Sequence, residues 1–147
     1  MATTGGSFAQ SLSVNSATIL RQVNDRTYAI ARELFKSIVQ LTPSPTQRDA
    51  SSAQGVLVNN WFPVDGPEFS QASMTSKSDY GLASLARINQ LRGNQFFRKD
   101  GAVTMSNNLH YAYRAEVLGW PSPPWSGRVG PYRMVALSMQ AISARYK

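Results

Sequence analysis

Residues 16–41 read SATILRQVNDRTYAIARELFKSIVQL. In this run Ile19, Val23, Ile30, Leu34, Ile38 and Leu41 recur at three- and four-residue steps, with Thr27 filling the one gap. A 3.6-residue turn brings such positions onto one face, so the run predicts a long amphipathic helix. Asn15 or Ser16 would cap its start by accepting a hydrogen bond from an unpaired backbone amide. Pro43 would end it by forcing Thr42 toward an extended conformation. At 1.5 Å per residue the helix is roughly 35–40 Å long, about the diameter of a domain of this size, so it spans the molecule.

Downstream, residues 42–53 are polar, carry Pro43 and Pro45 and predict a loop. Val56, Val58, Phe62 and Val64 then alternate with Leu57, Asn59 and Trp61 between Gly55 and the Pro63–Gly66 region, which predicts a strand covered on both faces. After a polar linker over 67–78, Leu82, Leu85, Ile88 and Leu91 mark a second, shorter helix. Ser76 or Ser78 would cap it and Gly93 would stop it. The pair Asp100-Gly101 lies between 95–98 and 102–106 and predicts an antiparallel hairpin, because both residues tolerate positive φ. Residues 111–118 fit either a short helix or a further strand. Residues 119–130 hold Pro121, Pro123 and Pro124 and predict an irregular loop containing Trp120 and Trp125. Pro131 stands where a first helical residue would be, and Val135, Met139, Ile142 and Tyr146 carry a helical stripe to the C-terminus. The fold class read from this order is α+β. A small, mostly antiparallel sheet is packed by a long N-terminal helix, a middle helix and a C-terminal helix.

Composition agrees with one folded domain. The 147 residues are 42% hydrophobic and 16% charged, too apolar for a disordered chain. Residues 15–147 are assigned to this domain. Residues 1–14, rich in Gly, Ser and Thr and poor in apolar anchors, are expected to form a flexible N-terminal arm rather than a secretory signal. There is no cysteine, which excludes disulfides, thiolate metal sites and cysteine nucleophiles and makes cytoplasmic folding the simple expectation. No apolar stretch approaches the roughly 20 residues that cross a bilayer, so no membrane partner is expected.

The sequence gives little support to an enzyme. His110 is the single histidine, the eight acids are dispersed, and no G-x-S-x-G or phosphate-cradling glycine motif occurs. No catalytic residue, metal or cofactor is assigned. The net charge of +7 admits nucleic acid as a partner, with Phe96-Phe97-Arg98-Lys99 as the stretch where stacking and phosphate contacts would combine. The arginines are otherwise scattered, without a basic run. The residues with interface chemistry are Trp120, Pro123, Pro124 and Trp125, in a loop stiffened by proline, together with Arg114 and Glu116. The two tryptophans either present their indoles to a partner or fold back over the end of the sheet. Glu116 forms an ion pair either at a subunit contact or locally with Arg114.

Thr42-Pro43, Asn59-Asn60-Trp61, Ser106-Asn107-Asn108-Leu109-His110-Tyr111-Ala112, Glu116 with Gly119, and Gly130-Pro131-Tyr132-Arg133-Met134-Val135 follow one another in a set order. In that order they resemble the tail-completion (neck, or minor tail) proteins of long-tailed double-stranded DNA bacteriophages. The likeness covers roughly residues 16–146. The chain departs from the family where Ser44-Pro45-Thr46-Gln47 follows Thr42-Pro43, at His110, and in a longer loop over 119–130. The resemblance implies a structural virion protein made in the host cytoplasm. It implies a homo-oligomeric ring, a hexamer, in the neck, between a head connector or head-closure protein and a tail-terminator or tail-tube protein. DNA would pass through the lumen without sequence-specific contact.

Overall fold

A computed structural model of the chain describes residues 4–43, 52–75, 81–91, 102–119 and 131–147. Its elements are α1 (Thr4–Leu41), α2 (Ser52–Asn59), β1 (Phe62–Asp65), α3 (Leu82–Gln90), β2 (Val103–Ser106), a π-helical turn (Arg114–Leu118) and α4 (Met134–Arg145). The protein is α+β, with long N-terminal, middle and C-terminal helices around a two-stranded antiparallel sheet.

α1 is longer than its hydrophobic period predicts. It starts at Thr4, not near Ser16, and its 38 residues extend about 57 Å, well beyond the ~38 Å diameter of a domain this size. The N-terminal half therefore stands clear of the body. Every residue from 9 through 23 is exposed, and Asn24 is the first that is buried. The arm expected over residues 1–14 is thus helical from Thr4 onward, and the uncovered region reaches further along the chain than residue 14. The apolar stripe divides accordingly. Ile19 and Val23 are 58% and 54% exposed, whereas Phe35, Ile38 and Val39 lie in the core.

The core joins Phe35, Ile38 and Val39 of α1 to Leu57 and Val58 of α2, Trp61, Ile88 of α3, Ala115 of the π-turn and Met134 of α4. α4 lies along α1. Ser37 Oγ donates to the buried Ser138 Oγ at 2.9 Å, and Glu33 receives an ion pair from Arg145 and a hydrogen bond from the Tyr146 hydroxyl. The buried stripe of α4 is Met134, Ser138 and Ile142, with Val135 half-buried. Met139, expected on that face, is 56% exposed.

The strand expected over Val56–Val64 is corrected by the structure to a helix followed by a shorter strand. Leu57, Val58, Asn59 and Asn60 are all buried in succession. A short run enclosed on all sides has no period to separate helix from strand, and β-branched Val56 and Val58 bias it toward strand. Residues 52 and 53, read as loop, belong to α2. The first arm of the expected hairpin, 95–98, lies outside the described residues; its second arm contains β2, which pairs with β1. The register is Phe62↔Ser106, Pro63↔Met105, Val64↔Thr104 and Asp65↔Val103.

Residues 111–118, readable as helix or strand, form a helical turn that widens to a π-turn. It closes on a 2.8 Å bond from the Gly119 amide to the Arg114 carbonyl, with Gly119 at φ 69 and ψ −176, a conformation open to glycine. α4 begins at Met134 rather than at Pro131, because residues 132 and 133 are drawn to the π-turn. The Tyr132 and Arg133 amides donate to the Ala115 and Glu116 carbonyls at 2.8 and 3.3 Å.

Gly81, which precedes α3, is buried at φ +70. A Cβ placed there would stand 2.5 Å from Val39 Cγ1 and 2.8 Å from Val58 Cγ2. It marks the point where α3 is pressed against α1 and α2. Gly81→Ala is expected to destabilise the fold by about 2–4 kcal/mol, combining left-handed strain with overpacking. A fall in the chemical-denaturation midpoint with unchanged slope checks this, and a midpoint within error of the parent contradicts it.

Candidate functional surfaces

The residues that carry the sequence pattern meet in space, beginning at Trp61. Its indole Nε1–H donates to Thr42 Oγ1 at 2.9 Å, and Thr42 in turn donates to the Ile38 carbonyl at 2.7 Å. The Trp61 amide donates to Ser84 Oγ at 3.2 Å, and Ser84 donates to the Val58 carbonyl at 2.8 Å. The end of α1, the end of α2 and the start of α3 are thereby tied to one residue. Arg87 completes the junction, donating to the Asn59 and Trp61 carbonyls at 2.8 and 3.2 Å with its guanidinium 4.1 Å from the centre of the Phe62 ring. Burial lowers the Arg87 pKa from its ordinary value.

Asn60 is a second clamp. Its side-chain amide donates to the Val56 and Met74 carbonyls at 2.6 and 2.8 Å and accepts from the Met74 amide at 2.7 Å, so it treats residue 74 as a neighbouring strand would. Beside it Thr104, Ser106 and Asn108, two residues apart, hold the chain that runs over residues 68–72. Thr104 Oγ1 donates to the Glu68 carbonyl at 2.6 Å, Ser106 Oγ to Ser70 at 3.0 Å, and Asn108 Nδ2 to Ser70 and Ala72 at 2.6 and 2.8 Å. Asn107 Nδ2 points the other way, to the Leu57 carbonyl at 3.0 Å. The two adjacent asparagines therefore bind opposite sides of the chain, one the core helix α2 and one the outer strap.

Glu116 makes a contact that the sequence reading does not name. Both carboxylate oxygens face the first turn of α4, accepting from the Val135 amide at 3.2 and 3.1 Å and from the Ala136 amide at 3.1 Å. A carboxylate on otherwise unpaired N-terminal amides satisfies them and opposes the positive end of the helix dipole. Glu116 is a helix cap supplied from another element. Arg114, two residues earlier, is exposed. The other sequence-predicted interface residues, Trp120, Pro123, Pro124 and Trp125, lie outside the described residues, as do Phe96-Phe97-Arg98-Lys99.

His110 is exposed and meets Tyr111 edge-on, with ring centres 5.1 Å apart. Among the described residues no group of three or more His, Cys, Asp or Glu side chains could hold a metal ion, and no helix is long and apolar enough to cross a membrane. Apolar side chains stand uncovered among the described residues. On α1 these include Leu12, Ile19, Leu20 and Val23, all more than half exposed. Beside Gly119, Tyr113, Val117 and Leu118 are 66%, 48% and 51% exposed. The uncovered half of α1 was missed from sequence because its stripe reads as core. Its lack of charged side chains through Leu20 is the signal that distinguishes it.

No protein-family model matches the chain, and no curated protein or solved structure does so either.

Two substitutions test these roles. Thr42→Val keeps the shape but leaves the buried Trp61 N–H without its acceptor, at an expected cost of about 1–3 kcal/mol. Glu116→Ala removes the cap of α4 and is expected to cost about 1–2 kcal/mol, with Glu116→Gln intermediate between it and the parent. Denaturation midpoints check both, and a Glu116→Ala chain as stable as the parent would show that the cap is dispensable.

Proposed function

We propose that this chain is a structural virion protein, a subunit of a ring in the neck of a long-tailed bacteriophage that completes the tail and joins it to the DNA-filled head. The observation that supports this reading is the use to which the resembling residues are put. Thr42, Asn60, Trp61, Asn107, Asn108 and Glu116 are consumed in holding helices and strap together. Short motifs that recur because they set a fold fit a protein that acts by docking. The uncovered apolar surfaces beside Gly119 and along α1 supply area for such docking. On this reading the ring is a hexamer. One face meets a head connector or head-closure protein and the other a tail-terminator or tail-tube protein, and DNA passes through the lumen. From the sequence, Trp120 and Trp125, flanking Pro121, Pro123 and Pro124, are the proposed anchors, with Arg114 on the exposed rim.

The basic charge supports a second reading, a nucleic-acid-binding domain. The two differ in salt dependence, since a protein that neutralises several phosphates loses DNA affinity steeply as salt rises.

The test is made in the genome that encodes the chain. Portal, connector and tail-tube genes are expected on either side. Disruption of the gene is expected to leave full heads and finished tails unjoined in electron micrographs. Trp125→Ala is expected to keep the parent melting temperature while lowering the yield of infectious particles. Joined, infectious particles from the disrupted gene would overturn the neck reading, and steeply salt-dependent retention on DNA would favour the second.

A further inference from the structure

The uncovered half of α1 poses a physical problem. Isolated helices of this length are marginal in water even when rich in alanine, and residues 9–23 include Ser, Thr, Asn, Val and Ile, all poorer helix formers. The first turn carries no acidic side chain to oppose the helix dipole. Residues 9–23 are exposed on every side. A helix in this condition gains its stability from a surface that covers it.

Three features identify that surface. Ala9, Leu12, Ser16, Ile19 and Val23 follow at steps of three and four, a narrow seam of the kind that pairs two helices, and large residues alternate with small ones along it through Ile19. No charged side chain occurs before Arg21, although the chain carries a net charge of +7. Copies of this protein repel one another in general, and the arm is where they do so least. Finally, Arg26 continues the seam after Val23. A parallel pair would bring Arg26 against Arg26. An antiparallel pair sends Arg26 past the uncharged end of the other helix. A register that sets Leu12 opposite Ser16 of the second copy also sets Ile19 opposite Ala9, each large side chain against a small one, and two-fold symmetry repeats both contacts. A nucleic acid would find no cationic side chain on the arm before Arg21.

We infer that residues 9–23 of α1 form a self-recognition arm that pairs antiparallel with the same arm of a second copy. The inference does not depend on the neck reading. A pair closed by a two-fold axis joins two copies only, so any ring would be closed by other surfaces of the chain.

The contact is shorter than a standard interface, so sedimentation velocity of the full chain is carried up to roughly 100 µM. A reversible monomer–dimer equilibrium is expected. Ile19→Lys, at a site 58% exposed, is expected to leave the thermal melt of the body unchanged and to weaken dimerisation about tenfold or more. Because the chain has no cysteine, single Leu12→Cys and Ser16→Cys variants report the register. Under mild oxidation their mixture should form a disulfide-linked dimer, while each variant alone should not. A chain that stays monomeric at the highest concentration overturns the inference. So does Leu12→Cys cross-linking on its own, which marks a parallel pair, or a dimer that survives Ile19→Lys and gives no mixed disulfide.

Discussion

The anchoring of Trp61 is the constraint on which the rest of the structure depends. Its indole N–H reaches Thr42 at the end of α1, and its own amide reaches Ser84 on α3. A buried indole has one donor, and leaving it unmet costs much of what its burial contributes. The position of Thr42 is therefore fixed relative to Ser84, and with it the angle at which α1 and α3 approach. Gly81 follows from the same restriction, since α3 can come that close only where its leading residue has no side chain. Arg87 closes the arrangement by satisfying carbonyls left at the end of α2, where the chain turns from helix into β1.

From this junction the structure grows outward through side-chain to backbone bonds more than through sheet hydrogen bonds. Among the described residues the sheet has two strands of four residues each, too small to be stable alone. Asn60, Thr104, Ser106 and Asn108 extend its order by treating the strap over 68–74 as a further strand. Glu116 does the same for α4, substituting for a local N-cap. Each of these residues is fixed by a particular partner in space, which is why short polar motifs far apart in the chain mark the fold better than its hydrophobic residues do.

The helices whose apolar residues repeat every three or four positions were legible in the sequence: the packed half of α1, α3 and α4. Their ends were less so, because those ends are set by partners. α4 starts late because residues 132 and 133 are bonded to the π-turn, and Glu116 could not be recognised as its cap across the 19 positions that separate it from Val135. α2 was misread for a different reason. Leu57, Val58, Asn59 and Asn60 are all buried, so no alternation of buried and exposed positions underlies the β-branched pattern that read as strand. Of the candidate site residues, Arg114 is exposed, Glu116 caps α4, and Trp120, Pro123, Pro124 and Trp125 lie outside the described residues.

The division of α1 shows most clearly how a single pattern can serve two ends. Ile19 and Val23 belong to the same stripe as Ile38, and sequence periodicity treats them as equivalent. What separates them is geometry: the helix outruns the body that could cover it, so identical chemistry becomes core at one end and uncovered surface at the other. The charge distribution follows that division. Arg32 and Glu33, on the packed half, bond to Asn89 and Arg145, while the first charged side chain of the chain, Arg21, appears only near the end of the uncovered stretch. A free helix that only needed solubility would gain from charges there and from the i, i+4 pairs they allow. Their absence, with Leu12, Ile19, Leu20 and Val23 exposed along one side, leaves the kind of apolar surface that a second helix covers.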